Sequence, residues 1–135
     1  MNRLHRLHSE FRQSPWLDNL SRDRLADGRI QSYIDGGIRG ITANPSIFAH
    51  AIMGSDAYDA DFYRLLEADT SLEDSYWKLI TTDITHALEL FLPLYESSGG
   101  GDGFVSIEVS PTIANDTAAT IDAARDLHKR VDRPN

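Results

Sequence analysis

The chain has 135 residues, 41% hydrophobic and 25% charged, the size and composition of one soluble globular domain. Its 13 Lys and Arg against 21 Asp and Glu give a net charge of −8, which argues against nucleic acid or an anionic membrane as a main partner. There is no cysteine, so disulfides, thiolate metal sites and a cysteine nucleophile are excluded, and a reducing cytoplasm is the expected location.

Met1 to Arg6 contains no apolar run of signal-peptide length, and no stretch approaches a membrane span. Leu4, Leu7 and Phe11 are spaced as one face of a short helix. His5 and His8 on that helix lack acidic or cysteine ligands at helical spacing and read as surface residues rather than metal ligands. Ser14-Pro15 breaks the helix, and Pro15 to Asp18 reads as a brief extended segment ending in a carboxylate. Ser21 can cap a helix from Arg22 to Asp27, which Gly28 ends. A second helical piece carries Ile30, Tyr33 and Ile34 and closes at Gly36-Gly37.

Ile38 to Ala43 reads as a strand, followed by a helix with Ile47, Phe48, Ala51 and Ile52 on its apolar face. Asn44 suits the cap of that helix and Pro45 its first position. Ser55 can cap the next helix, whose buried face is Tyr58, Phe62, Leu65 and Leu66. Helical spacing then continues from Leu72 through Leu92, with Pro93 expected at the end. Ser97 to Gly103 reads as a flexible turn, poorly placed for a phosphate cradle because it precedes a strand. Phe104 to Val109 is the clearest strand. After the Ser110-Pro111 turn, Asp116 caps a last helix lined by Ile121, Ala124, Leu127 and Val131.

Strands separated by helices imply βαβ units and a parallel sheet, an α/β class. Each strand ends on a polar group: Asp18, Thr42 with Asn44, and Glu108. In parallel βα units those ends share one face, so two carboxylates and an amide would converge. A carboxylate pair in a half-desolvated pocket can exchange protons with a substrate hydroxyl and a water, and an amide can hold a hydroxyl or carbonyl. Singly, each residue has a plainer reading: Asn44 as a helix cap, Asp18 as the cap of the following turn, Glu108 as a salt-bridged strand end. No dinucleotide, P-loop or zinc-protease motif competes, and Asp56, Asp59 and Asp61 lack the glycine and glutamate of a calcium loop.

Four stretches resemble the N-terminal part of a transaldolase of the longer bacterial type. They are Gln13 to Arg22 (QSPWLDNLSR), Gly40 to Phe48 (GITANPSIF), Gly54 to Asp59 (GSDAYD) and Val105 to Pro111 (VSIEVSP). Ala114 to Thr117 and Val131 to Asn135 also fit. The resemblance implies a (β/α)₈ TIM barrel. Residues 1–135 would supply its first three βα units, with extra helices between strands 2 and 3, as part of a single barrel domain truncated before the lysine strand. It implies transfer of a dihydroxyacetone unit from sedoheptulose 7-phosphate to glyceraldehyde 3-phosphate, in the pentose phosphate pathway. The transfer runs through a lysine Schiff base, with sugar phosphates as partners and no metal or cofactor. Asp18 matches the family's acid/base aspartate, and Asn44 the asparagine that holds the dihydroxyacetone hydroxyls. Thr42 lines the same pocket. Glu108 matches the glutamate that acts through a water in forming and hydrolysing the Schiff base.

The chain departs from the family pattern at Ala43, where a threonine or serine is frequent, and at Ser110, where an aspartate is frequent. The lysines present, Lys78 and Lys129, fall in helical patterns and match no Schiff-base position. These 135 residues are therefore expected to be an inactive fragment of the enzyme. The alternatives are a non-catalytic interaction module, a fructose 6-phosphate aldolase, or part of a fusion to glucose-6-phosphate isomerase. The sequence is silent on oligomeric state.

Overall fold

The computed structural model describes residues 2–135. Helix α1 (Arg3–Phe11) begins where the Asn2 side chain accepts the His5 N–H and ends at Arg12 in the left-handed conformation. It docks on the end of the third helix, where Asn2 Nδ2 donates to the Gly36 carbonyl at 2.6 Å. The approach is close enough that a Cβ on Gly37 would lie 3.0 Å from Leu4 Cβ, and Gly37 also has φ of +102°, so glycine is required there twice over.

Strands β1 (Trp16–Leu17), β2 (Gly40–Ile41) and β3 (Phe104–Val105) form one parallel sheet in the order β1-β2-β3. Trp16 stands beside Gly40 and Gly40 beside Phe104; Leu17, Ile41 and Val105 form the next row. Helices α2 (Arg22–Ala26) and α3 (Arg29–Asp35) connect β1 to β2. Between β2 and β3 run α4 (Pro45–Met53), a 3₁₀ turn (Asp56–Tyr58), α5 (Asp59–Glu67) and α6 (Leu72–Ser97). A second 3₁₀ turn (Pro111–Ile113) and α7 (Thr117–Val131) follow β3. The fold is therefore α/β with a three-stranded parallel sheet.

The core lies between the sheet and α6: Ile41 and Val105 meet Ile80, Ile84, Ala87, Leu88 and Phe91, joined by Leu20, Ile30 and Phe48. Side chains alternate across a strand, so Trp16 and Gly40 face the other way, while the Phe104 ring meets the Tyr95 ring near the end of α6, centres 5.4 Å apart. A Cβ on Gly40 would sit 2.4 Å from Trp16 Cε2, so the indole lies directly over the glycine. At the sheet's far side the Val105 N–H donates to the Asn135 carbonyl at 3.0 Å. Asn135 Nδ2 donates to the Leu88 and Gly103 carbonyls, and the residue is 8% exposed.

Several expectations are corrected. The strands are two residues long rather than spanning 38–43 and 104–109. The chain leaves β1 at Asp18 and β2 at Thr42 to enter helices, so beyond Ser106 the residues Ile107 to Val109 have no strand alongside to pair with. Pro93 does not end the long helix, which continues to Ser97. Proline removes only the bond to the Glu89 carbonyl, and both residues are exposed where water replaces it. Leu66, Leu72 and Ile121 are exposed (46%, 70% and 45%), as is Ala124. His5 and His8 are half-buried, because α1 lies against α3. The turn read as flexible is a closed helix terminus: Gly100 N–H donates to the Tyr95 carbonyl and Gly99 N–H to Glu96, with Gly99 at φ of +64°. Its Asp102 is buried and ion-paired with Arg39 at 2.6 Å.

Candidate active site

The C-terminal edge of the sheet is built by continuing each strand one step. Asp18 follows Leu17, Thr42 follows Ile41 and Ser106 follows Val105, so the three share a row. The Thr42 N–H donates to the Leu17 carbonyl and the Ser106 N–H to the Ile41 carbonyl, both at 2.9 Å, extending the ladder by one bond on each side of β2. By alternation Asp18 and Thr42 share the face of Trp16 and Gly40, while Asn44 belongs to the cap of α4 and Glu108 follows β3 outside the strand.

Two of these residues meet. The Thr42 hydroxyl donates to Asp18 Oδ1 at 2.6 Å, a charge-assisted bond that fixes the carboxylate over the middle strand. Asp18 is otherwise exposed and Thr42 half-buried, so the second carboxylate oxygen faces solvent. Asn44 is half-buried and extended (φ −126°, ψ 167°), and its Oδ1 accepts the Ile47 N–H at 2.9 Å. The cap thus stays with Asn44, and only its Nδ2 donors remain fully available for another partner. Glu108 is exposed and hydrogen-bonds to none of the other three. Lys78 lies in α6 and Lys129 in α7, both exposed. Among the described residues no group of three His, Asp or Glu is close enough to hold a metal ion.

A buried cluster stands behind the Asp18 loop. The Arg22 N–H donates to the Tyr58 hydroxyl at 2.9 Å. The Arg22 guanidinium pairs with Asp83 at 2.9 Å and Asp61 at 2.8 Å, and lies 4.4 Å from the centre of the Tyr58 ring. Burial pushes the Asp83 carboxyl above its ordinary range, with Arg22 opposing. Burial, then Asp83, pushes the Tyr58 hydroxyl up. Sequence reasoning missed this cluster and treated Tyr58 as plain apolar filling. A signal existed: Ile80, Asp83, Ile84 and Ala87 place one carboxylate on the buried stripe of α6. Ser21, expected to cap α2 with its side chain, makes no capping bond there. The Tyr58 hydroxyl instead meets an N–H of the first turn.

The model of the Transaldolase/Fructose-6-phosphate aldolase family matches residues 15–135. The chain is 48% identical over 128 residues to the transaldolase of Thiobacillus denitrificans, covering 94% of this chain and 36% of that protein. It is 46% identical over 124 residues to the transaldolase of Trichodesmium erythraeum, covering 91% and 33%, and 44% identical over 123 residues to that of Kocuria rhizophila, covering 90% and 33%. The chain spans about a third of the length of the curated relatives it matches.

Proposed function

Because the chain belongs to the transaldolase/fructose-6-phosphate aldolase family, we propose that it forms one wall of the active site of a transaldolase. The complete protein would be a (β/α)₈ barrel in which residues 1–135 are part of the single domain. It moves a dihydroxyacetone unit from sedoheptulose 7-phosphate to glyceraldehyde 3-phosphate. The observation that carries this reading is the Thr42-to-Asp18 hydrogen bond at the C-terminal edge of a parallel sheet. That edge is where barrel enzymes do chemistry.

In the proposed reaction a lysine amine condenses with the ketose carbonyl and expels water. Asp18 takes the proton from the hydroxyl adjoining the bond to be broken, and the carbon–carbon bond cleaves. The aldose phosphate leaves, and its electron pair stays on the three-carbon unit as an enamine. Addition to the acceptor aldehyde reverses these steps, with Asp18 returning the proton. Asn44 donates from Nδ2 to the dihydroxyacetone hydroxyls, Thr42 holds Asp18, and Glu108 directs the water that forms and leaves. Lys78 and Lys129 are exposed on helices, so the amine comes from protein outside these residues. The helices between β2 and β3, and relatives named as transaldolases, favour this reading over a simple fructose 6-phosphate aldolase.

A chimera tests it. Residues 1–135 replace the matching third of the Thiobacillus denitrificans transaldolase, and dihydroxyacetone transfer is assayed with sugar phosphates. The chimera is expected to be active. Its Asp18→Ala form should lose about 10²–10⁴ in turnover while borohydride still traps the substrate on the lysine. A folded chimera without transfer activity, or unchanged turnover in Asp18→Ala, overturns the proposal.

A further inference from the structure

The described residues include four half-buried arginines, and three of them face carboxylates: Arg22 with Asp61 and Asp83, Arg39 with Asp102, Arg133 with Glu89. Arg24 is the fourth. It makes no ion pair among the described residues, and its Nη1 donates only to the Tyr33 hydroxyl, at 3.3 Å. Asp27, ion-paired with Arg29, feels the Arg24 charge only from beyond ion-pair distance, so the guanidinium is held half out of water with no acid in direct contact, unusual in a chain of net charge −8. Most of its N–H donors stay uncommitted.

Arg24 lines a cavity of about 430 Å³ between the β1–α2 loop and the first turn of α4, with Asn19, Ser21, Asn44, Ser46 and His50. No carboxylate lines it. Three other cavities that an arginine lines contain acids: Asp126 and Glu73 beside Arg130, Glu89 beside Arg130 again, and Asp61 beside Arg64. The walls therefore combine an unpaired cation with hydroxyl, amide and imidazole groups. His50 Nδ1 is tied to the Ser46 carbonyl at 2.7 Å, which leaves Nε2 as its free ring nitrogen.

The geometry points to a binding site for a compact tetrahedral oxyanion, the phosphate of a phosphate monoester or free inorganic phosphate, held by the Arg24 fork between Ser21 and Ser46. A guanidinium matches a tetrahedral oxyanion through paired N–H bonds, and the missing carboxylates remove the repulsion that the rest of the surface would exert. The inference stands on cavity and charge and does not depend on the catalytic reading. Asn44 lines the cavity while its Oδ1 caps α4, so an occupant would bear directly on that cap.

The test is titration of the ¹⁵N-labelled 135-residue chain with sodium phosphate, fructose 6-phosphate, fructose and sodium acetate, at ionic strength matched by sodium chloride. Saturable shifts at the amides of Arg24, Ser46 and His50 are expected with both phosphates and with neither control. Arg24→Gln should weaken binding by about tenfold or more. Ser46→Asp, at an exposed position, should abolish it while the remaining spectrum stays native. Saturation by fructose 6-phosphate more tightly than by phosphate identifies the monoester as occupant; the reverse order identifies free phosphate. No saturable shift, shifts that acetate or chloride reproduces, or binding that survives Ser46→Asp overturns the inference. Failure of the chimera to transfer dihydroxyacetone would leave these results untouched.

Discussion

Asn44 carries two demands on one side chain, and they separate chemically. Its Oδ1 caps α4 through the Ile47 N–H, while Nδ2 is the donor available to a ligand. Aspartate supplies the same cap without the donors, so Asn44→Asp should keep the melting temperature. Asn44→Ala should lose about 1 kcal/mol, read from urea unfolding of the 135-residue chain. In the chimera Asn44→Asp should nevertheless lose turnover; retained turnover would remove Asn44 from the proposed reaction. Much of this scale was legible in the sequence. A polar residue following an apolar pair reveals a strand end, and Asn-Pro reveals a helix start. The Thr42-to-Asp18 bond was not legible, because it depends on which strands are neighbours. The Asn44 cap was legible from Asn-Pro and is present; that Nδ2 stays available beside the cap was not, because it depends on which of the two amide atoms faces the helix.

At the scale of elements, the Arg22, Tyr58 and Asp83 cluster ties α2, the first 3₁₀ turn and α6 together. Arg22→Met leaves Asp83, 2% exposed, without its main partner and should cost about 3–5 kcal/mol. Replacing both Arg22 and Asp83 by apolar residues should cost less than Arg22→Met alone, and chemical denaturation of the three proteins checks the order. Because burial raises the folded carboxyl above its unfolded value of 3.8, the folded state holds the proton more tightly. The stability from this group is complete below that value and declines as pH rises through the folded one. The stability advantage of the natural chain over Asp83→Asn should therefore be larger near pH 4 than near neutrality. A gap that widens with pH would contradict the assigned direction. Helix existence was readable from periodicity, but exposure was not. Leu66, Leu72 and Ile121 keep helical spacing with buried residues yet face solvent, since spacing defines a face and not what stands opposite it.

For the molecule as a whole, the order β1-β2-β3 leaves the sheet open at β1, while the lower end of β3 is occupied by Asn135. The apolar pattern announced parallel βαβ units. It did not announce that Asn135 is pinned beside β3, since a single backbone bond and one amide carry no periodic signature. The Asn135 carbonyl accepts the Val105 N–H at 3.0 Å, so this stretch takes a bond on the free side of β3 that a neighbouring strand would take. A hexahistidine tag fused to Asn135 should shift the amide resonance of Val105, whose N–H the Asn135 carbonyl accepts, whereas the same tag fused ahead of Asn2 should leave it in place. The point at which a handle is attached thus decides whether the edge of β3 is seen undisturbed.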